Sequence, residues 1–163
     1  MGNPLVIAHH IMWTAYGWWL PNDPRGSTST AVYTPRLAQL APHHYGRKQI
    51  QPASRDIRAF YATASERLQY SPAQISSDDG PDIACSFNEV IAQEKYTCYA
   101  CVIVPDHVHL LIRKHKHSAE AMIENFQSAS RLRASSFGLR EPNHPTWTKG
   151  GWRVFLDHPT DVK

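Results

Sequence analysis

Tyr96-Thr97-Cys98-Tyr99-Ala100-Cys101-Val102-Ile103-Val104-Pro105-Asp106-His107-Val108-His109-Leu110-Leu111-Ile112-Arg113 reads as two strands joined by a turn. Tyr96–Val104 is rich in β-branched and aromatic residues, Pro105-Asp106 is a turn dipeptide, and His107–Arg113 resumes a strand pattern, so the stretch predicts a hairpin. Successive side chains on a strand alternate faces, which puts the His107 and His109 imidazoles side by side with Val108 opposite. Two imidazoles so placed can hold a divalent metal. Cys98 and Cys101 form a C-x-x-C in the same stretch. Strand parity sends residues three apart to opposite faces, so these two are expected as core cysteines, with a zinc site as the lesser alternative.

Working outward, Leu5–Tyr16 is a β-rich first strand closed by Gly17, and it carries His9 and His10. Only one of that pair can share the face of His107 and His109, and parity selects His10. Residues 21–81 hold seven of the twelve prolines and follow the turn-rich Leu20–Gly26. They read as a long insertion after the first strand, with one helix around 54–69. Ser76–Pro81 is a helix start, followed by a helix over 82–95 with Ile83, Phe87, Val90 and Ile91 on one stripe. Beyond the hairpin, Ser118 is an N-cap and Glu120 suits the first turn. That helix should run to Phe137, with Met122, Ile123, Phe126, Ala129 and Leu132 inward and Gly138 as its stop. Trp152–Leu156 is a short fourth strand, and His158–Asp161 opens another helix. The order is β-α-β-β-α-β. It predicts an α+β ferredoxin-like fold with a four-stranded antiparallel sheet, helices on one face, and one domain over residues 1–163.

Hydrophobic residues make up 42% of the 163, a normal share for a globular chain able to bury its own core. No apolar run approaches the ~20 residues of a membrane helix, and no secretory signal is visible, so a cytoplasmic location is expected with no membrane partner. Three cysteines argue against a disulfide framework. The formal net charge is +3, but residues 113–153 carry eight Lys/Arg against three Glu, leaving the rest of the chain at −2. That asymmetry suits a polyanionic partner such as nucleic acid, and equally a solvated basic face.

A mixed set of histidine and oxygen ligands suits Mg²⁺ or Mn²⁺, and such an ion can polarise a phosphodiester. Cutting the strand also needs a nucleophile, either water or a side-chain hydroxyl. Here Ile103–Leu111 resembles the HUH motif of single-tyrosine transposases, especially the REP-associated tyrosine transposases. His10–Gly17 is similar to the first strand of that family, Trp19–Gly26 to the loop that follows in one branch of it, and Trp147–Leu156 to its fourth-strand region. The likeness covers most of the chain in order, with residues 27–75 adding little.

The resemblance implies a metal-assisted endonuclease and strand-transferase that acts on single-stranded or hairpin DNA in DNA transposition and recombination. His107 and His109 match its two metal ligands. Members often form dimers, so a homodimer is expected. The family's nucleophilic tyrosine lies on the helix after the fourth strand, whereas the last tyrosine in this sequence is Tyr99 and the last residue is Lys163. The expectation is therefore of a chain cut before its nucleophile helix, with the catalytic tyrosine, and the third metal ligand beside it, beyond Lys163. The alternatives are a DNA-binding module or decayed transposase without catalysis, and a small zinc protein using Cys98, Cys101 and the histidines. His10 is expected near the metal or scissile phosphate, or else as a hydrogen-bonded sheet residue. Candidate DNA contacts are Arg25, Lys114, Arg131, Lys149 and Arg153, with Trp147 able to stack on unpaired bases. Trp152 is expected in the core because of its strand position.

Overall fold

The computed structural model describes residues 5–136 and 143–162, with the side chains of 135 and 136 excepted. In chain order the elements are β1 (Ala8–Thr14), α1 (Pro35–Ala38), α2 (Ser54–Ser65), α3 (Asp79–Glu94), β2 (Cys98–Val104), β3 (His107–Arg113), α4 (Ala119–Ser136) and β4 (Trp152–Leu156), followed by a 3₁₀ turn at Pro159–Val162. The strands form one sheet in the order β2-β3-β1-β4, with every neighbouring pair antiparallel. This is the ferredoxin-like α+β arrangement that the β-α-β-β-α-β reading predicts. Among the described residues, no helix is long and apolar enough to cross a membrane.

One face of the sheet is covered by α3 and α4. Ile11, Trp13, Val108, Leu110 and Ile112 point into that layer, and all are buried. The Trp13 ring stacks on Phe126 and meets Phe87 and Trp147 edge-on. A reciprocal pair starts α3: the Ser76 N–H donates to Asp79 Oδ2 at 2.8 Å, and the Asp79 N–H donates to Ser76 Oγ at 3.2 Å. Lys95, in the left-handed region at φ 59°, ends that helix and turns Tyr96 into the core. Ser118 caps α4, its Oγ accepting from the Ala121 N–H at 3.2 Å.

The structure corrects three expectations. The inward stripe of α4 is Met122, Ile123, Phe126, Ser130 and Ala134, whereas Leu132 is 67% exposed. Ser130 can turn inward because its Oγ donates to the Phe126 carbonyl at 2.7 Å and accepts from Trp147 Nε1 at 2.8 Å. Second, β2 begins at Cys98 and carries a register irregularity: Cys98 pairs with Ile112 and Ala100 with Leu111, leaving Tyr99 as an extra residue. That bulge resets the parity count, so Cys98 and Cys101 both sit opposite buried-face residues of β3, yet Cys101 is exposed and Cys98 half-exposed at the sheet edge. Third, Trp147 and Trp152 exchange roles: Trp147 is 4% exposed and Trp152 43%.

Other expectations fall on residues outside the described ones. Phe137 and Gly138, the expected end and stop of α4, are among them. So is Lys163, beyond which the sequence reading puts the nucleophilic tyrosine. The helix expected to open at His158–Asp161 is, as far as it is described, the single 3₁₀ turn Pro159–Val162. No described residue supplies the tyrosine or the third ligand at that place: Pro159, Thr160, Asp161 and Val162 form the turn, and none of its side chains is buried against the sheet.

Residues 17–72 form one compact unit, and residues 1–16 with 73–163 form the other. In the first, α2 is shorter than expected, and α1 carries no signal in the sequence reading. Leu20, Leu37, Phe60 and Ala64 make its core. Asn22 is fully buried and donates to the carbonyls of Leu37 and Ala41. Gly17, at φ 88°, lies so close to Pro72 that an added Cβ would sit 2.9 Å from its Cα. In the second unit, the Ala73 N–H donates to the Tyr16 carbonyl at 2.8 Å.

Candidate metal centre and strand-binding face

The sheet face away from α3 and α4 carries the histidines. On β3, His107, His109 and Leu111 alternate with the buried Val108, Leu110 and Ile112, as period-two geometry requires. On β1, Thr14 pairs with His107, Met12 with His109 and His10 with Leu111, so His10, Met12 and Thr14 share the open face. Met12 also pairs with Trp152 on β4, and Val102 on β2 pairs with His109. The row Val102–His109–Met12–Trp152 thus crosses all four strands, with Val102 51% and Trp152 43% exposed at its ends.

Within this face the imidazoles are in mutual contact. The His107 and His109 ring centroids lie 4.7 Å apart, and His109 stacks on His10 at 5.1 Å. His107 Nδ1 is 2.7 Å from Asp106 Oδ1. An ionised carboxylate only accepts, so Asp106 places the proton on Nδ1 and leaves the Nε2 lone pair of His107 free. His109 Nδ1 is 2.9 Å from His10 Nε2. If His109 donates, its own Nε2 is free to ligate; if His10 donates, that nitrogen carries the hydrogen. Burial, and then the neighbouring His107 and His10, lower the pKa of His109 and favour the neutral imidazole that a metal requires.

With the hydrogen on His109 Nδ1, the pair would offer two Nε2 lone pairs to a divalent cation. Among the described residues, no three His, Cys, Asp or Glu side chains converge as a metal-binding group. His10 meets the ring of His109 rather than completing a set of three ligands, and the remaining positions on an ion would fall to water or phosphate oxygens. Asp106 is a functional candidate that the sequence reading leaves out, although its place directly before His107 is a signal the sequence offers. Among the described residues the zinc alternative is not assembled: Cys98 and Cys101 are registered with the opposite face from His107 and His109.

The other candidate residues scatter. Lys149 sits on an exposed loop whose Thr148 N–H donates to Thr14 O at 2.9 Å, at the end of β1 that pairs with His107. Gln127 fixes that loop by donating to the carbonyls of Thr148 and Gly150. Lys114 lies just past the far end of β3. Arg153 is registered with the helix-covered face and pairs with Glu120 at 2.5 Å. Arg131 is exposed on α4, in the helix layer rather than on the histidine face. Trp147 is a core side chain, which removes it as a base-stacking surface.

Arg25 belongs to the 17–72 unit, where its guanidinium pairs with the buried Asp23 at 2.7 Å and lies 3.7 Å over the Trp19 ring. Tyr61 also donates to Asp23, by a short hydrogen bond. Burial alone would raise the Asp23 carboxyl pKa, but the hydrogen bonds from Arg25 and Tyr61 outweigh it and hold the value below the usual range.

No protein-family model matches the chain, and no curated protein matches it. Among solved structures, a candidate transposase from Deinococcus radiodurans superposes with a TM-score of 0.52 at 12% identity, covering 99% of this chain and 88% of that one. At that identity the likeness is one of fold, and it is a ferredoxin-like fold that the two chains share.

Proposed function

We propose that this chain is a transposase-type protein that binds single-stranded or hairpin DNA across the open sheet face, with Mg²⁺ or Mn²⁺ held by His107 and His109. The observation that carries the reading is the placement of His10, His107 and His109 in pairwise contact on the sheet face away from α3 and α4. The resemblance of residues 103–111 to the HUH motif and the fold shared with a candidate transposase support it. When bound, the ion supplies Lewis-acid polarisation of a phosphodiester. The chain's own residues hold and aim the site: Asp106 and His10 fix the two imidazoles, while Trp152, Met12 and Val102 offer an apolar platform to unstacked bases.

Strand cleavage also requires a nucleophile. Tyr96 is engaged in the core, its hydroxyl bonded to His117 and Asn125, and Tyr99 lies towards the far end of β2 from the histidines. Neither tyrosine is placed to attack a phosphodiester at the histidine pair, so the reading is ion and strand binding without a covalent protein–DNA intermediate, and a stoichiometric covalent adduct formed by residues 1–163 would contradict it.

The test is fluorescence anisotropy with a labelled single-stranded hairpin oligonucleotide. Affinity should fall with salt, by a slope of about 0.7 per phosphate contacted. Trp152→Ala should weaken binding about tenfold while leaving the melting temperature unchanged. Trp147→Ala should instead cost about 3–5 kcal/mol of stability, because it empties a core site. Salt-independent binding, or no effect of Trp152→Ala, would overturn the proposed use of this face. A non-catalytic DNA-binding module would keep the same binding with no dependence on divalent ion.

A further inference from the structure

At the end of the sheet away from His107, a cavity of about 410 Å³ is lined by Val6, Ile7, Tyr99, Arg113, Lys114 and Val162. Its walls are fixed by backbone bonds: the Lys114 N–H donates to Ile7 O, the Ile7 N–H to Leu156 O and the Arg113 N–H to Thr97 O, all within 2.8–2.9 Å. Arg113 and Lys114 both line it, and neither makes an ion pair within the described residues. Tyr99, 49% exposed, reaches it as the extra residue of the β2 bulge, a feature that re-aims side chains.

By strand parity Arg113 shares the open face with His107, His109 and Leu111. Four residues of strand separate it from His109, about 13 Å, the span of a few nucleotides of unstacked strand. The cavity's volume is within the range of small-ligand sites, its two uncompensated cations suit a phosphate, and the Tyr99 ring offers a stacking surface for a base.

We propose that this cavity is a nucleotide subsite, which seats one phosphate and base of the strand a few nucleotides away from the phosphodiester at the histidine pair. The inference rests on the proposed strand-binding function and adds a direction to it: the strand runs along β3, from His107 past Leu111 to Arg113.

The experiment measures binding of the full chain to hairpin oligonucleotides with single-stranded extensions of zero to six nucleotides on either end, alongside titration with deoxythymidine monophosphate. Affinity should climb once an extension reaches the cavity. Tyr99→Ala should remove about tenfold of that gain, and Arg113→Gln should reduce the salt slope by about 0.7. Both should leave the unextended hairpin unaffected. Both side chains are exposed, and unchanged melting curves confirm the variants are folded. If the gain persists in both variants, the subsite is overturned while strand binding stands. If no oligonucleotide binds but the monophosphate does, and both variants abolish it, the cavity is a nucleotide site and the strand reading falls. If neither ligand binds, both proposals fall.

Discussion

Replacing His109 with alanine should reduce Mn²⁺ affinity by about 100-fold or more, taking binding below detection by calorimetry, with the fold intact. The expectation follows from the small donor set: two imidazole nitrogens are the proposed protein ligands on the open face, and orienting groups alone are typically worth about 10–100-fold in metal affinity. His109 is half-buried and its neighbours on the face are Met12 and Val102, so truncation leaves a shallow gap rather than a core cavity. His10→Ala and Asp106→Ala should each cost about tenfold, because they release an imidazole from its fixed orientation without removing a ligand. Cys98→Ala should change nothing. Mn²⁺ binding that survives His109→Ala, or stoichiometric zinc lost with Cys98→Ala, would sink the assignment of the metal to the histidine pair.

The second large effect lies in the 17–72 unit. Asp23→Ala should destabilise it by about 3 kcal/mol, the cost of breaking one side of a buried pair, reduced because a quarter of the Arg25 side chain still reaches water. The loss strands several donors at once, since Asp23 accepts from Arg25 Nε at 2.8 Å, from its terminal nitrogen at 2.7 Å, from the Arg25 backbone N–H at 2.8 Å, and from Tyr61. Hydrogen exchange over residues 17–72 reads the effect directly. The pH dependence has a definite sign. The Asp23 pKa is lower in the folded chain than in the unfolded one, so its contribution is complete above the ordinary carboxylate value. It is lost as pH falls through the depressed value. Asp23→Asn should remove this acid sensitivity, and protection that keeps its full pH dependence in that variant would show another group to be responsible.

Much of the sheet is legible in the sequence because two short-range signals agree. The Pro105-Asp106 turn marks the hairpin, and period-two alternation puts His10, His107 and His109 on one face, where the structure places them in contact. The failures share a physical cause, which is that periodicity gives spacing but not phase. In α4 the apolar Leu132 reads as inward, but the stripe passes through Ser130, a polar residue made buriable by its two hydrogen bonds. In β2 a single extra residue at Tyr99 inverts every parity argument made across it. The two tryptophans trade places because strand membership says nothing about which face is covered. Trp147 lies outside a regular strand, yet its indole N–H finds Ser130 in the core. Trp152 lies inside one and points to the bare side. Asp106 is within reach of sequence reasoning, since a carboxylate adjacent in the chain to a ligating histidine can meet its Nδ1.

The hydrogen bond from the Ala73 N–H to the Tyr16 carbonyl has a topological consequence. Fifty-six residues leave and re-enter the sheet unit at points joined by one backbone hydrogen bond, as the two ends of a hairpin loop are. The Tyr16–Ala73 bond does not depend on the length of chain between its two residues, so a change in the length of this 17–72 cassette should leave that pairing in place. Sequence change in this lineage should therefore be partitioned at Tyr16 and Ala73, with the strand-bearing residues constrained by pairing and the cassette free to diversify.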